Sequence, residues 1–66
     1  MLIVNGVKYI PEKEISKYFG MSVSWFRKAR YAGKCPTYHT LNGKIFYDID
    51  HVQEWFKKNL TAHQQL

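Results

Sequence analysis

Between Glu14 and Asp48 the 66-residue sequence contains no acidic residue. The same stretch carries Lys17, Arg27, Lys28, Arg30, Lys34 and Lys44, so the formal +5 of the chain originates in its middle. An uncompensated basic surface suits polyanions, nucleic acid foremost, and the interleaved aromatics Trp25, Tyr31 and Tyr38 suit a phosphate-facing surface. Long apolar runs are also missing. The longest is Met1-Leu2-Ile3-Val4, too short for a membrane span or the core of a secretory signal, so neither membrane nor export is expected. Cysteine is nearly absent. Cys35 alone cannot close an internal disulfide, which in a domain this small suggests a reducing, cytoplasmic setting. There is no length for a second domain: a chain this size buries only ~60% of its unfolded surface, enough for one thin core. A single domain over residues 1–66 is expected, with 60–66 as a flexible tail.

What is present is core material. Hydrophobic residues make up 45% and aromatics 17%, which separates the chain from disordered tails. No internal repeat, low-complexity tract or linker is read in it. Leu2-Ile3-Val4 and Val7-Lys8-Tyr9-Ile10 flank Asn5-Gly6, a strong hairpin signal because both turn residues tolerate positive φ. Pro11 fits the first position of a helix, where no N–H is needed. Glu12 and Glu14 suit its positive end, and Ile15, Tyr18 and Phe19 form its apolar stripe up to Gly20.

Ser22 is the N-cap of a second helix running from Val23 to about Ala32, leaving Gly20-Met21-Ser22 as the turn between the two. At ~100° per residue, Phe26, Ala29 and Gly33 share one side with Trp25 on its flank. Val23, Ser24, Arg27, Lys28 and Tyr31 lie opposite, with Arg30 at the edge. Gly33 and Pro36 stop this helix. Thr37-Tyr38-His39-Thr40-Leu41 and Lys44-Ile45-Phe46-Tyr47 then flank Asn42-Gly43, a second hairpin with a lysine at its tip. Asp48 or Asp50 caps a last helix, Asp50 with Gln53 fitting a capping box, and Ile49, Val52, Trp55, Phe56 and Leu60 form its stripe. Two short helices, a tight turn and a basic hairpin describe an α+β, mostly helical, winged helix-turn-helix, with three short helices, a β-hairpin wing and an N-terminal strand or hairpin.

The run from Phe19 through Gly20-Met21-Ser22 and Trp25-Phe26-Arg27-Lys28 to Gly33-Lys34-Cys35-Pro36 resembles the helix-turn-helix of small phage excisionases and AlpA-type regulators. Ile45-Phe46-Tyr47-Asp48 through Val52 and Trp55 is similar to the winged-helix domain of lambdoid terminase small subunits. Both groups share the MerR-like winged-helix fold. The resemblance implies Ser22 at the N-cap, with Ser24, Trp25, Arg27 and Lys28 on the recognition helix. It also implies Lys44 on the wing, near the minor groove or the backbone. Two residues depart from the pattern. Arg30 stands where an apolar residue is expected, and either reaches phosphate or pairs with a carboxylate. Trp25 replaces a small polar residue and either reads bases or packs.

The candidate DNA-binding residues are thus Ser22, Ser24, Trp25, Arg27, Lys28, Arg30, Tyr31, Lys34 and Lys44. Arginine is the commonest reader of guanine edges, and lysine and tyrosine serve phosphate. Catalysis is not expected: Glu12 and Glu14 have no cleft, and Ser22, Ser24 and His39 show no base-and-orienter spacing. Cys35 and His39, even with His51, fall short of a metal ligand set, so no cofactor is expected. The expected partner is double-stranded DNA, bound by an excisionase that bends attachment-site DNA, associates cooperatively on it and directs a phage integrase. The alternatives are an AlpA-type transcription regulator, a terminase DNA-binding domain and a protein-interaction module.

Overall fold

The computed structural model describes residues 1–63. The chain order is β1 (Leu2–Val4), β2 (Val7–Pro11), α1 (Glu12–Phe19), α2 (Val23–Tyr31), β3 (His39–Leu41), β4 (Lys44–Asp48) and α3 (Ile49–Asn59). Residues 61–63 are exposed and belong to no element. The rest of the expected tail lies outside the described residues.

Both Asn-Gly pairs turn as their side chains allow. Asn5 and Asn42 each have φ 51°, Gly6 and Gly43 each 77°, the paired positive φ of a type I′ turn that matches strand twist. The two hairpins do not stand apart. Strands β2 and β4 pair antiparallel and fuse them into one four-stranded sheet, ordered β1-β2-β4-β3. An α+β fold of three helices and one antiparallel sheet results.

The fusion exposes an internal repeat, correcting the expectation of none. At an offset of 37 residues, β1-β2-α1 becomes β3-β4-α3, with Leu2 over His39, Asn5 over Asn42 and Glu12 over Ile49. The registers agree as well: Leu2↔Tyr9 and Val4↔Val7 in one hairpin match His39↔Phe46 and Leu41↔Lys44 in the other. Ile10 pairs with Tyr47, its own mate, flanked by Tyr9↔Asp48 and Pro11↔Phe46. A pseudo-twofold axis therefore passes through the Ile10–Tyr47 pair. Helix α2 is the insertion between the two units. The repeat escaped the sequence because only Asn-Gly and one phenylalanine (Phe19, Phe56) are identical at mate positions outside it. Some other mates, such as Ile15 and Val52, keep only their hydrophobicity, and several differ in polarity.

The core obeys the same symmetry. Ile15 and its mate Val52 are fully buried, with Tyr47 and Phe26 between the helices and the sheet. The mates Phe19 and Phe56 touch each other, ring centroids 5.2 Å apart. Burying one such side chain contributes about 1.5–3 kcal/mol, and with Pro36 also fully buried these residues make a thin centre.

Several local details differ from the sequence reading, Tyr18 and Leu60 among them: expected on apolar stripes, both are exposed. Pro11 closes β2 with extended backbone (φ −58°, ψ 148°), and Glu12 takes the first helical position. Strand β3 starts at His39, leaving Thr37 and Tyr38 in the connection. Asp48 caps α3, its carboxylate accepting from the Asp50 N–H at 3.0 Å. Gln53 is drawn instead to the Tyr18 hydroxyl, at 3.4 Å, so the Asp50–Gln53 capping box does not form. No described helix is long and apolar enough to cross a membrane.

Candidate nucleic-acid interface

The turn between α1 and α2 is built from its own residues. Gly20 sits at φ 70°, a left-handed position that costs any Cβ-bearing residue ~1–2 kcal/mol. It lets the Met21 N–H reach back to the Ser16 carbonyl at 2.9 Å. Ser22 then caps α2, its hydroxyl accepting from the Trp25 N–H at 3.0 Å, a contact typically worth ~1 kcal/mol. No acid occupies the first turn of α2, while Lys28 and Arg30 lie in its last, where cations favour the helix dipole.

On this helix the structure separates the candidate residues into two sets. Ser24, Arg27, Lys28 and Tyr31 follow the i, i+3, i+4, i+7 stripe and are all exposed, Tyr31 at 81%. Lys34 follows just beyond the helix end and is also exposed. Lys44 stands apart, at the tip of the β3–β4 hairpin. Ser22 is exposed but its hydroxyl is committed to the cap.

Trp25 and Arg30 belong to the inside. The Trp25 ring packs on Phe26, Phe56 and Trp55 at 5.0, 5.5 and 6.2 Å. This takes up the position as packing rather than base reading. Arg30 forms a two-pronged contact with Glu12: Nε donates to Oε2 at 2.9 Å and Nη2 to Oε1 at 3.0 Å. The Tyr47 hydroxyl donates to the same Oε2 at 2.8 Å. Both charged side chains are largely buried, so the guanidinium serves the core and does not reach phosphate. The expectation of two alternatives for Arg30 resolves to the carboxylate.

This network carries clear electrostatic consequences. Burial, then the facing Glu12 carboxylate, hold the Tyr47 hydroxyl well above the ordinary tyrosine range. The hydrogen bond to Glu12 likewise raises Arg30, and burial pushes the Cys35 thiol up, away from reactive thiolate. Tyr31 and Tyr38 flank the Arg30 guanidinium at 6.0 and 5.8 Å from their ring centroids, within cation–π range. Glu12, Tyr38 and Tyr47 were missed as supports of α2. The partners of Glu12 and Tyr47 lie far away in sequence, and no local spacing marks them.

With Glu12 turned inward, the exposed stripe has no neutralising acid. Among the described residues, Arg30 is the one arginine or lysine with an ion-pair partner. Arg27, Lys28, Lys34 and Lys44 make no ion pair among the described residues. No group of three histidine, cysteine or carboxylate side chains among the described residues is placed to hold a metal. Compared with protein-family profiles, with curated proteins and with solved structures, the chain has no significant match.

Proposed function

We propose that this chain is a double-stranded DNA-binding protein of winged helix-turn-helix type. Helix α2 enters the major groove, and the β3–β4 hairpin acts as the wing on backbone or minor groove. The observation that carries the reading is the exposed stripe Ser24, Arg27, Lys28 and Tyr31, extended by Lys34, in a stretch whose cations no acid offsets. Arginine on such a face can reach guanine edges, while lysine and tyrosine reach phosphate. Arg30 and Trp25 fix the helix in place and make no contact with DNA.

Within this class we favour an excisionase of phage type, working in the cytoplasm. It would bend attachment-site DNA and direct an integrase. The resemblance of the Phe19–Pro36 segment supports this choice. A regulator of the AlpA type would use the same surface. Single DNA-binding modules bury only on the order of 600–1,000 Å², so an excisionase needs neighbouring copies to offset a bend costing ~1–6 kcal/mol. Circular-permutation gel shifts separate the two. Bending that grows with the number of bound copies supports the excisionase, whereas tight binding of one protomer to straight DNA supports the regulator.

DNA binding itself is tested by salt. With Arg30 withdrawn, Lys17, Arg27, Lys28, Lys34 and Lys44 remain for phosphate, and five contacts give a log–log slope of about −4.5. Raising salt from ~50 to ~200 mM should then cost a few hundredfold in affinity. A slope flatter than about −2 rejects the basic stretch as the DNA surface.

A further inference from the structure

Helix α2 is held to the rest of the fold by two contacts of different kinds. Its N-terminal half leans on aromatic rings, Trp25 on Trp55 and Phe56, and Phe26 on Tyr47. Apolar contact is non-directional, so it resists roll about the helix axis only weakly. The C-terminal half is held by Arg30, the next-to-last residue of the helix. Its guanidinium meets both oxygens of the Glu12 carboxylate, at 2.9 and 3.0 Å. Tyr47 donates to that carboxylate from β4, at 2.8 Å, and so ties Glu12 to the sheet. A planar, two-pronged contact is directional, and a small roll of the helix breaks one of its bonds.

Stability alone does not call for this network. The Arg30 and Glu12 side chains are only 14% and 11% exposed. Taking two charges this far out of water offsets most of their attraction, and well-packed apolar residues commonly serve as well. The mates of Glu12 and Tyr47 are such residues, Ile49 and Ile10, both packed on the core. The polar arrangement is used where α2 must be oriented.

We infer that Glu12, acting through Arg30, is a positioning residue that sets sequence discrimination by fixing the roll of α2 and with it the aim of Arg27. This rests on the DNA reading. Arg27 stands just under one turn before Arg30 on the same helix, so the two move together. A roll of ~20° carries a side-chain tip ~6 Å from the axis through about 2 Å. A fork that reads a base edge has to be held within ~0.5 Å. A lysine on phosphate is a point charge on a flexible stem and follows such a shift. Discrimination therefore depends on the network, whereas sequence-blind affinity does not.

The test uses the duplex that the parent chain enriches from a random-sequence pool, with a scrambled duplex beside it. Arg30→Lys keeps the charge and loses the fork. It should lower the ratio of the two affinities roughly tenfold, with scrambled-duplex affinity and salt slope as in the parent. Glu12→Ile, Arg30→Met and Tyr47→Phe together should do the same in a chain whose urea unfolding matches the parent. Both variants retain the net charge of +5. If both melt early, Tyr47→Phe alone frees Glu12 from the sheet and should lower the ratio about threefold. An unchanged ratio in a folded variant overturns the inference and leaves the DNA reading intact. So does a fall in both affinities together, in step with stability, because that is a merely structural role. A parent that binds DNA but enriches no sequence likewise overturns this inference alone. A parent that binds neither duplex removes the DNA reading, and this inference with it.

Discussion

The two hairpin–helix units share a backbone and diverge in chemistry. Their strands, turns and helix starts coincide position by position. Yet the residue after the turn glycine is Val7 in one and Lys44 in the other. The first unit's outer strand is Leu2-Ile3-Val4, entirely apolar, whereas the second presents His39-Thr40-Leu41. The sharpest divergence lies beside the axis. Glu12 meets Tyr47 on the side where α2 docks through Arg30. At the mate positions stand Ile49 and Ile10, both packed on the apolar core. One geometry thus tolerates a polar or an apolar solution, and the inserted helix decides which is used.

The largest expected effect follows from breaking the polar solution. Glu12→Ala strands the buried Arg30 charge and the Tyr47 hydroxyl, and should cost about 3–5 kcal/mol in urea unfolding. For a domain with ~5 kcal/mol in hand, that leaves little folded chain. Converting this side to resemble the other, with Glu12→Ile, Arg30→Met and Tyr47→Phe together, should restore stability to within ~1 kcal/mol or exceed the parent. A triple variant as unstable as Glu12→Ala would refute the equivalence of the two sides.

Next in size is an effect on helix α2, which the symmetry leaves without a counterpart. Arg27→Ala should cost about 1–3 kcal/mol on a specific DNA site and relax sequence preference, measured by competition gel shifts. A loss equal on specific and random DNA would remove α2 from the major groove.

The Tyr47 hydroxyl gives a pH effect. Its folded value lies above the ordinary tyrosine value of 10.0, so the folded state holds the proton after the unfolded chain releases it. That contribution is complete below about pH 10 and is lost as pH rises toward the folded value, by up to ~1.4 kcal/mol per pH unit. Tyr47→Phe should flatten the decline in stability above about pH 10. Its mate position already holds Ile10, which cannot titrate. An unchanged alkaline slope would mean that Tyr47 ionises equally in both states.

The smallest effect concerns the hairpin tips. Lys44→Ala should weaken specific and random DNA alike and make the salt slope shallower by about one unit. Val7→Ala, at the mate position on the opposite end of the sheet, should change neither. Equal responses would mean that the two tips do the same work.

Much of this was legible because the signals are local. Asn5-Gly6 and Asn42-Gly43 set both hairpins, Ser22 set the start of α2, and Gly20 ended α1. The exposed stripe Ser24, Arg27, Lys28 and Tyr31 followed from helical spacing alone. What stayed hidden depends on distant partners. Nothing near Ile10 indicates that it pairs with Tyr47, and nothing near Arg30 indicates Glu12 rather than phosphate. Trp25 was ambiguous for the same reason: its neighbours Trp55 and Phe56 come from another helix. The repeat could have been found by its spacing, an aromatic residue three positions after the glycine, an aliphatic nine after and a phenylalanine thirteen after. Gly6 and Gly43 both satisfy it.

The axial pairing also bears on how the chain finds its shape. Each hairpin closes a two-residue loop, whereas joining Ile10 to Tyr47 closes one of 36 intervening residues. Loop entropy grows as (3/2)RT ln n, so the central closure costs about 2.6 kcal/mol more than either turn. Hairpins form in microseconds, and the meeting of the two units is the search that remains. Seen as a folding problem, the sheet has its costliest seam in the middle, and Tyr47, hydrogen-bonded to Glu12 and packed on Phe26, is the fastener placed across it.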